Sequence, residues 1–323
     1  MRVHLSFDVE VWCNDWTRLD EVFPVQFERY IYGRTKHGEY ALPATLDILR
    51  RHGLTGVFFV EPLFSARFGA AHLEVVVGLI RAGNHEVQLH IHPEWVDEIE
   101  PPMIANNMVK RQHLCFYDLD EQTAIIGYGK NLLQRAGSGP ITAFRAGSYA
   151  ANRDSFEALR RNDIFVDSSM NACFDISGAD MQDEISRIEP FQMSGVYSYP
   201  VSVFRDGFGR LRPAQVGACS FEELRDAMTH ARDLGWSDFV IVSHNFELLQ
   251  PGTSEPDMTV VRRFDKLCAY LASHSRDFEV CGYGAAPVSV PAGAHDARRT
   301  VLPAVGLGST GKRYVEQLQR RLR

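Results

Sequence analysis

Apolar positions along the chain follow two periods in turn. A short apolar segment at Val3–Phe7 reads as a strand. Pro43 suits the first turn of a helix that runs to about His52 and stops at Gly53. Thr55–Val60 is β-branched and aromatic, the mark of a buried strand. A helix over about Ala71–Ala82 ends at Gly83, and Glu86–His92 is the next strand. After a weakly periodic stretch with Pro101 and Pro102 come a helix over about Asp120–Ala136 and a strand at Ile141–Phe144. A short helix at Ser155–Arg161 leads to strand Ile164–Asp167. Ser220 with Glu223 has the form of a capping box and opens a helix ending near Gly235. Phe239–Ser243 is a buried strand, and Thr259–Ala272 a final helix.

Alternating strands and helices imply an α/β chain with a mainly parallel sheet. Strands this apolar are covered on both faces. We expect a distorted parallel (β/α) barrel of about seven strands, because ionisable residues recur at strand ends where a barrel gathers them. One domain then spans 1–284, with insertions near 96–118 and 171–218. Residues 285–323 form a basic C-terminal extension, which either packs on the domain or meets an anionic membrane surface.

The length of 323 residues allows a large core. A net charge of −7 argues against a nucleic-acid partner, which needs a basic footprint. No apolar run is long enough to span a bilayer, and the start, MRVHLSFDVEVW, lacks the apolar stretch of a secretory signal. We expect a cytoplasmic protein whose six scattered cysteines are reduced and mostly buried.

The chemistry sits at the strand ends. Asp8 and Glu10 follow the first strand, and His90, His92 and Glu94 the third. Arg145 and His244 follow later strands, and Asp167 ends one. Glu10, His90 and either His92 or Glu94 make a nitrogen–oxygen set for a divalent metal, zinc first. His90 and His92, two apart in a strand, face the same side; taken alone, such a pair is as well explained by packing. Asp8 is placed to take a proton from water, Arg145 to pair with Asp8, and His244 to protonate a leaving group. No G-x-S-x-G elbow supports a serine hydrolase. Trp12, Trp16, Trp95 and Tyr149 flank these residues, either as a sugar platform or as packing.

In this order the residues resemble the polysaccharide deacetylases, carbohydrate esterase family four, over about residues 3–247. Ser6-Phe7-Asp8-Val9-Glu10 is similar to the first motif of that family, which implies Asp8 as base and Glu10 as metal ligand. Asn84-His85-Glu86-Val87-Gln88-Leu89-His90 resembles the second and puts His90 on the metal. Arg145-Ala146-Gly147-Ser148-Tyr149 resembles R-x-P-(F/Y) and implies that Arg145 orients the base while the backbone near Ser148 helps hold an oxyanion. Asp167 would support the catalytic histidine, His244 of Ile241-Val242-Ser243-His244. Two departures stand out. Glu94 occupies the place of the usual second histidine, so His92 is preferred as third ligand, and the third motif lacks its proline. The Leu89-His90-Ile91-His92-Pro93 form resembles the subgroup of lipopolysaccharide O-antigen biosynthesis. The resemblance implies a deacetylase acting on an N-acetylated or N-formylated sugar, lipid- or nucleotide-linked. A hydrolase of another non-peptide C–N bond and a non-catalytic carbohydrate-binding protein are the alternatives.

Overall fold

A computed structural model describes residues 1–105, 109–174, 179–181, 188–284 and 302–321. The chain forms two compact units. One takes Met1–Gly56, Val203–Cys281 and Val301–Arg323; the other takes Val57–Ser202 and Gly282–Thr300.

In the first unit, strand Arg2–Val9 pairs in parallel with Asp238–His244, register Arg2 to Asp238 through Asp8 to His244. It also pairs in parallel with Glu279–Val280. Val3, Leu5, Phe7 and Val9 are buried on one face. Each fully covered side chain of this kind contributes roughly 1.5–3 kcal/mol. The alternate positions His4, Ser6, Asp8 and Glu10 are polar and equally buried. Helices Leu42–Arg51, Phe221–Asp233 and Met258–Ser273 complete this unit. Ser220 and Glu223 close the capping box their spacing predicts. Trp16–Tyr32, for which periodicity gave no element, holds a short 3-10 turn, helix Leu19–Phe27 and one π-helical turn. Pro24 inside that helix interrupts the pattern.

In the second unit, strands run in the order Val57–Val60, Glu86–Ile91, Ala143–Ala146, Val166–Asp167, Val196–Ser198 and Phe191–Met193. All pairings are parallel except the last. Its helices include Ala70–Ala82, Leu119–Arg135 and Arg153–Arg161. Parallel strands linked by helices are the α/β pattern expected. The stretch near 96–118 carries 3-10 turns at Pro93–Glu98 and Leu114–Phe116. Residues 106–108, 175–178 and 182–187 of the two expected insertions lie outside the described residues.

Cys13, Cys219 and Cys268 are buried, and burial raises their thiols, the first two to about 11. Cys115, Cys173 and Cys281 are only partly covered, fewer buried than expected. Of the extension, 285–301 lies outside the described residues, but Leu307–Arg321 is a helix. It packs on Phe221–Asp233. Arg313 is buried and donates to Glu223 at 3.0 Å and Asp206 at 2.8 Å. Arg320 donates to Asp257 at 2.6 Å. These basic residues lock the helix to its unit. No described helix is long and apolar enough to cross a membrane.

Candidate active site

The expected site residues fall into two groups, one in each unit. In the first unit, the strand register brings Asp8 beside His244. His244 Nε2 lies 4.0 Å from Asp8 Oδ2 and 3.8 Å from Glu10 Oε1. Asn245 laces the two strand ends together. Its N–H donates to the Asp8 carbonyl at 3.1 Å, its Oδ1 accepts from Glu10 N–H at 3.3 Å, and its Nδ2 donates to Glu10 and Tyr30 carbonyls.

The carboxylate that supports His244 is Glu247, at 2.9 Å from Nδ1. Glu247 also accepts from Gln215 Nε2 at 2.5 Å, Gly217 N–H at 2.7 Å and Ser243 Oγ at 2.9 Å. Burial opposes its charge, but these donors and the His244 charge outweigh it and lower the carboxyl. Burial likewise opposes the charge on His244. The hydrogen bond and charge of Glu247, with Glu10 and Asp8 behind it, still push the imidazole up to about 9. His244 therefore keeps its proton at neutral pH.

Asp167 was the expected support for this histidine, and its own contacts give it a different task. It is fully buried in the second unit and accepts from Ser198 Oγ at 2.7 Å and Ser169 N–H at 3.1 Å. Burial raises its carboxyl, since hydroxyl and amide donors replace water only in part. It fastens the chain after its strand.

In the second unit, His90 and Arg145 are register partners. His90 Nδ1 lies 2.7 Å from the Arg145 carbonyl, which can only accept, so the Nδ1 proton is fixed and Nε2 is the basic nitrogen. His92 Nδ1 lies 3.3 Å from Glu94 Oε2. The two rings stand 4.9 Å apart at 77°, and each presents one nitrogen within 4.8 Å of the other's. Glu94 thus stands beside His92, on its Nδ1.

Arg145 lies within its strand, not after it, and is fully buried. It donates to the Ser168 carbonyl and hydroxyl at 3.1 and 2.9 Å, with its guanidinium 4.3 Å from the Phe59 ring centre. Ser148 and Tyr149 have φ of +55° and +59°, two successive residues in the left-handed region. Such strain costs roughly 1–3 kcal/mol per residue and collects at functional turns. A Cβ on Gly147 would stand 2.8 Å from His92 ring atoms and from the Ile91 carbonyl. The His92 ring fills the space that a side chain at Gly147 would need.

The aromatic residues divide. Trp95 is buried against Phe64 and Phe68. Trp12 is 46% exposed and stacks with Tyr30 and Phe246. Tyr149 contacts Phe174. Besides Glu247, Asn245 and Gly147, sequence reading passed over Glu61. This acid directly follows strand Val57–Val60, as Glu10 and His92 follow theirs. Burial pushes it up to about 8, and it caps the next turn through Leu63 N–H at 2.8 Å.

No protein-family model matches the chain, and no curated protein sequence matches it. Among solved structures it is similar to a candidate polysaccharide deacetylase from Mycobacterium smegmatis, with 16% identity over 88% of this chain and 87% of that one, TM-score 0.59. A 4-alpha-glucanotransferase from Thermococcus litoralis aligns with 11% identity over 88% of this chain and 39% of its own length, TM-score 0.53. A family 4 carbohydrate esterase from Streptomyces lividans aligns at 11% identity over 86% of this chain and 90% of that chain, TM-score 0.44. A single fold therefore carries a transferase as well as a candidate deacetylase, and activity must be argued from the side chains. The chain has the α/β fold that its strand and helix order predicts, of the polysaccharide-deacetylase type that the motif resemblance implies.

Proposed function

We propose that this protein is a metal-dependent hydrolase of the polysaccharide-deacetylase family that removes N-acetyl or N-formyl from a sugar. The observation that carries this reading is the Asp8–His244 pair. Amide hydrolysis needs one group to take a proton from water and another to give one to the departing amine. Asp8 supplies a carboxylate and His244, held charged by Glu247, supplies the proton, 4.0 Å apart on paired strand ends.

The proposed metal ligands are Glu10, His90 and His92, with Glu94 as the outer partner of His92. Two imidazoles with their Nδ1 atoms engaged by oxygen, plus a buried carboxylate, are a donor set suited to zinc. Such an ion, when bound, polarises the amide carbonyl and makes water more acidic. Arg145 orients Asp8, the backbone at Ser148 lends an N–H to the oxyanion, and Asp167 supports the turn after its strand. The proposed substrate is an N-acylated sugar of surface-polysaccharide biosynthesis, lipid- or nucleotide-linked, met in the cytoplasm. Peripheral membrane contact would rest less on Arg313 and Arg320, which are paired internally, than on the exposed apolar stripe of Leu307, Tyr314, Val315 and Leu318.

The test is acetate or formate release from a panel of N-acylated sugars. Asp8→Asn and His244→Ala are each expected to lower turnover by about 10²–10⁴-fold while the circular-dichroism spectrum is kept. Near-wild-type turnover in either variant overturns the assignment.

A further inference from the structure

A cavity of about 360 Å³ opens in the first unit and shares Glu247 with the His244 pair. Small-molecule sites commonly fall between about 300 and 1,000 Å³, so this space holds far more than an acetyl group. One wall is an aromatic cluster. Trp12 and Tyr30 each stand 5.0 Å from Phe246, and 6.1 Å from one another. Rings grouped this way present apolar surface to the C–H face of a sugar.

The charges lining the cavity do not cancel. Glu247 is matched by His244, and Arg320 by Asp257. Arg29 is half-buried with its guanidinium 5.6 Å from the Tyr30 ring centre. Among the described residues no carboxylate pairs with it. A half-buried guanidinium without a counter-ion favours an anion that can accept its fork of N–H donors, a phosphate or a carboxylate.

We propose that this cavity binds an anionic group on the sugar substrate: a sugar face lies on the Trp12–Phe246 wall and its phosphate or carboxylate on Arg29. This rests on the deacetylase reading and narrows its substrate to acidic or phosphorylated sugars. A neutral polysaccharide would leave Arg29 unused.

Titration calorimetry on the full chain tests it, in the Asp8→Asn background so that turnover does not intrude. The probes are N-acetylglucosamine, N-acetylglucosamine 1-phosphate and N-acetylglucosaminuronic acid. An anionic probe should bind about 10- to 100-fold tighter than the neutral one, the effect of a charge-assisted hydrogen bond, and the tighter of the two names the anion. Arg29→Gln should abolish that gap and leave neutral binding within about twofold, while Phe246→Ala weakens all three probes. Equal binding of all three probes, or an equal loss for charged and neutral probes in Arg29→Gln, overturns the proposal. The readout is heat, not acetate. An anion preference without acetate release in the wild type would break the deacetylase reading alone; acetate release without the preference would break this one alone.

Discussion

Strands Arg2–Val9 and Glu86–Ile91, one in each unit, share a design. Each alternates an apolar row with a polar row: His4, Ser6, Asp8, Glu10 in one, all buried, and Glu86, Gln88, His90, His92 in the other, buried at Gln88 and His90 and half-buried at Glu86 and His92. At the amino end both rows are spent on structure. His4 meets Asp238 at 2.9 Å and Ser6 donates to the Ile241 carbonyl at 2.8 Å. Gln88 accepts from Thr142 and Ala143 N–H at 2.8 Å, and Glu86 accepts from Gly284 N–H at 3.2 Å. At the carboxyl end the rows diverge. The first ends in two acids facing a charged histidine; the second ends in two imidazoles, His90 held through Nδ1 by the Arg145 carbonyl and His92 beside Glu94. A buried polar row costs stability unless each member finds a partner. The chain meets that cost locally at one end of each strand and directs the other end to chemistry. The two ends should therefore respond differently to substitution.

The largest effects belong at the carboxyl ends. Glu10→Gln and His90→Ala each delete a proposed ligand, so metal retained after dialysis should fall, with affinity down by more than about 100-fold, beyond what outer partners contribute. Melting temperature should hold or rise in Glu10→Gln, because burying a carboxylate costs stability. Metal retention equal to wild type in both variants would dismiss the ligand set. Glu94→Gln acts one step out, on His92, and should cost about 10- to 100-fold in metal affinity. Gly147→Ala should act through the same ring, since the added Cβ must move either His92 or the Ile91 carbonyl. It should weaken metal binding in the wild type and add nothing in a His92→Ala background; additive losses would show that Gly147 and His92 are independent.

Much of this was legible from the chain. Elements began and ended close to where caps and breakers put them: Phe221–Asp233 after Ser220, and Leu42–Arg51 around Pro43. Asp8, Glu10, His90 and His244 announced themselves as ionisable residues after apolar strands. The polar rows are equally visible as a period of two. Glu247 was harder. It lies three residues past His244 in a turn, and only the loop geometry brings Gln215, Gly217 and Ser243 to its carboxylate. Gly147 could not be read at all, because what matters is a side chain that is absent and a histidine from a neighbouring strand that takes its place. Trp95 took the packing alternative open to the aromatics beside the motifs: its ring lies buried against Phe64 and Phe68.

Glu247→Gln sharpens the comparison from the side of charge. It keeps an acceptor for His244 Nδ1 but removes the negative charge that holds its proton. The imidazole should fall from about 9 towards its ordinary value of about 6.5. A general acid works only while protonated, so activity is lost as pH rises through that value. The alkaline limb of the pH–rate profile should shift to lower pH, with about fourfold lost at pH 7 and little at pH 6. An unmoved limb would mean that Glu247 does not govern the proton on His244.

The smallest effect on turnover should come from the amino end. Asp238 is buried and paired with Arg2 at 2.8 Å and His4 at 2.9 Å. Burial pulls its carboxyl upward, but the hydrogen bonds from His4 and Arg2 outweigh this and lower it. An acid lowered on folding adds stability that is present above its unfolded value, about 3.9, and lost as pH falls through the folded one. Asp238→Asn should therefore cost about 1–3 kcal/mol at neutral pH, the cost of leaving buried donors short of an acceptor. The gap between wild-type and variant denaturation curves should close as pH drops below about 4. Turnover per folded molecule should stay near wild type, because Asp238 pairs with Arg2, six residues before Asp8 in the same register. If Asp238→Asn instead lowered turnover as Glu10→Gln does, the polar row would act as one continuous network, and the division of each strand into a structural end and a chemical end would fail.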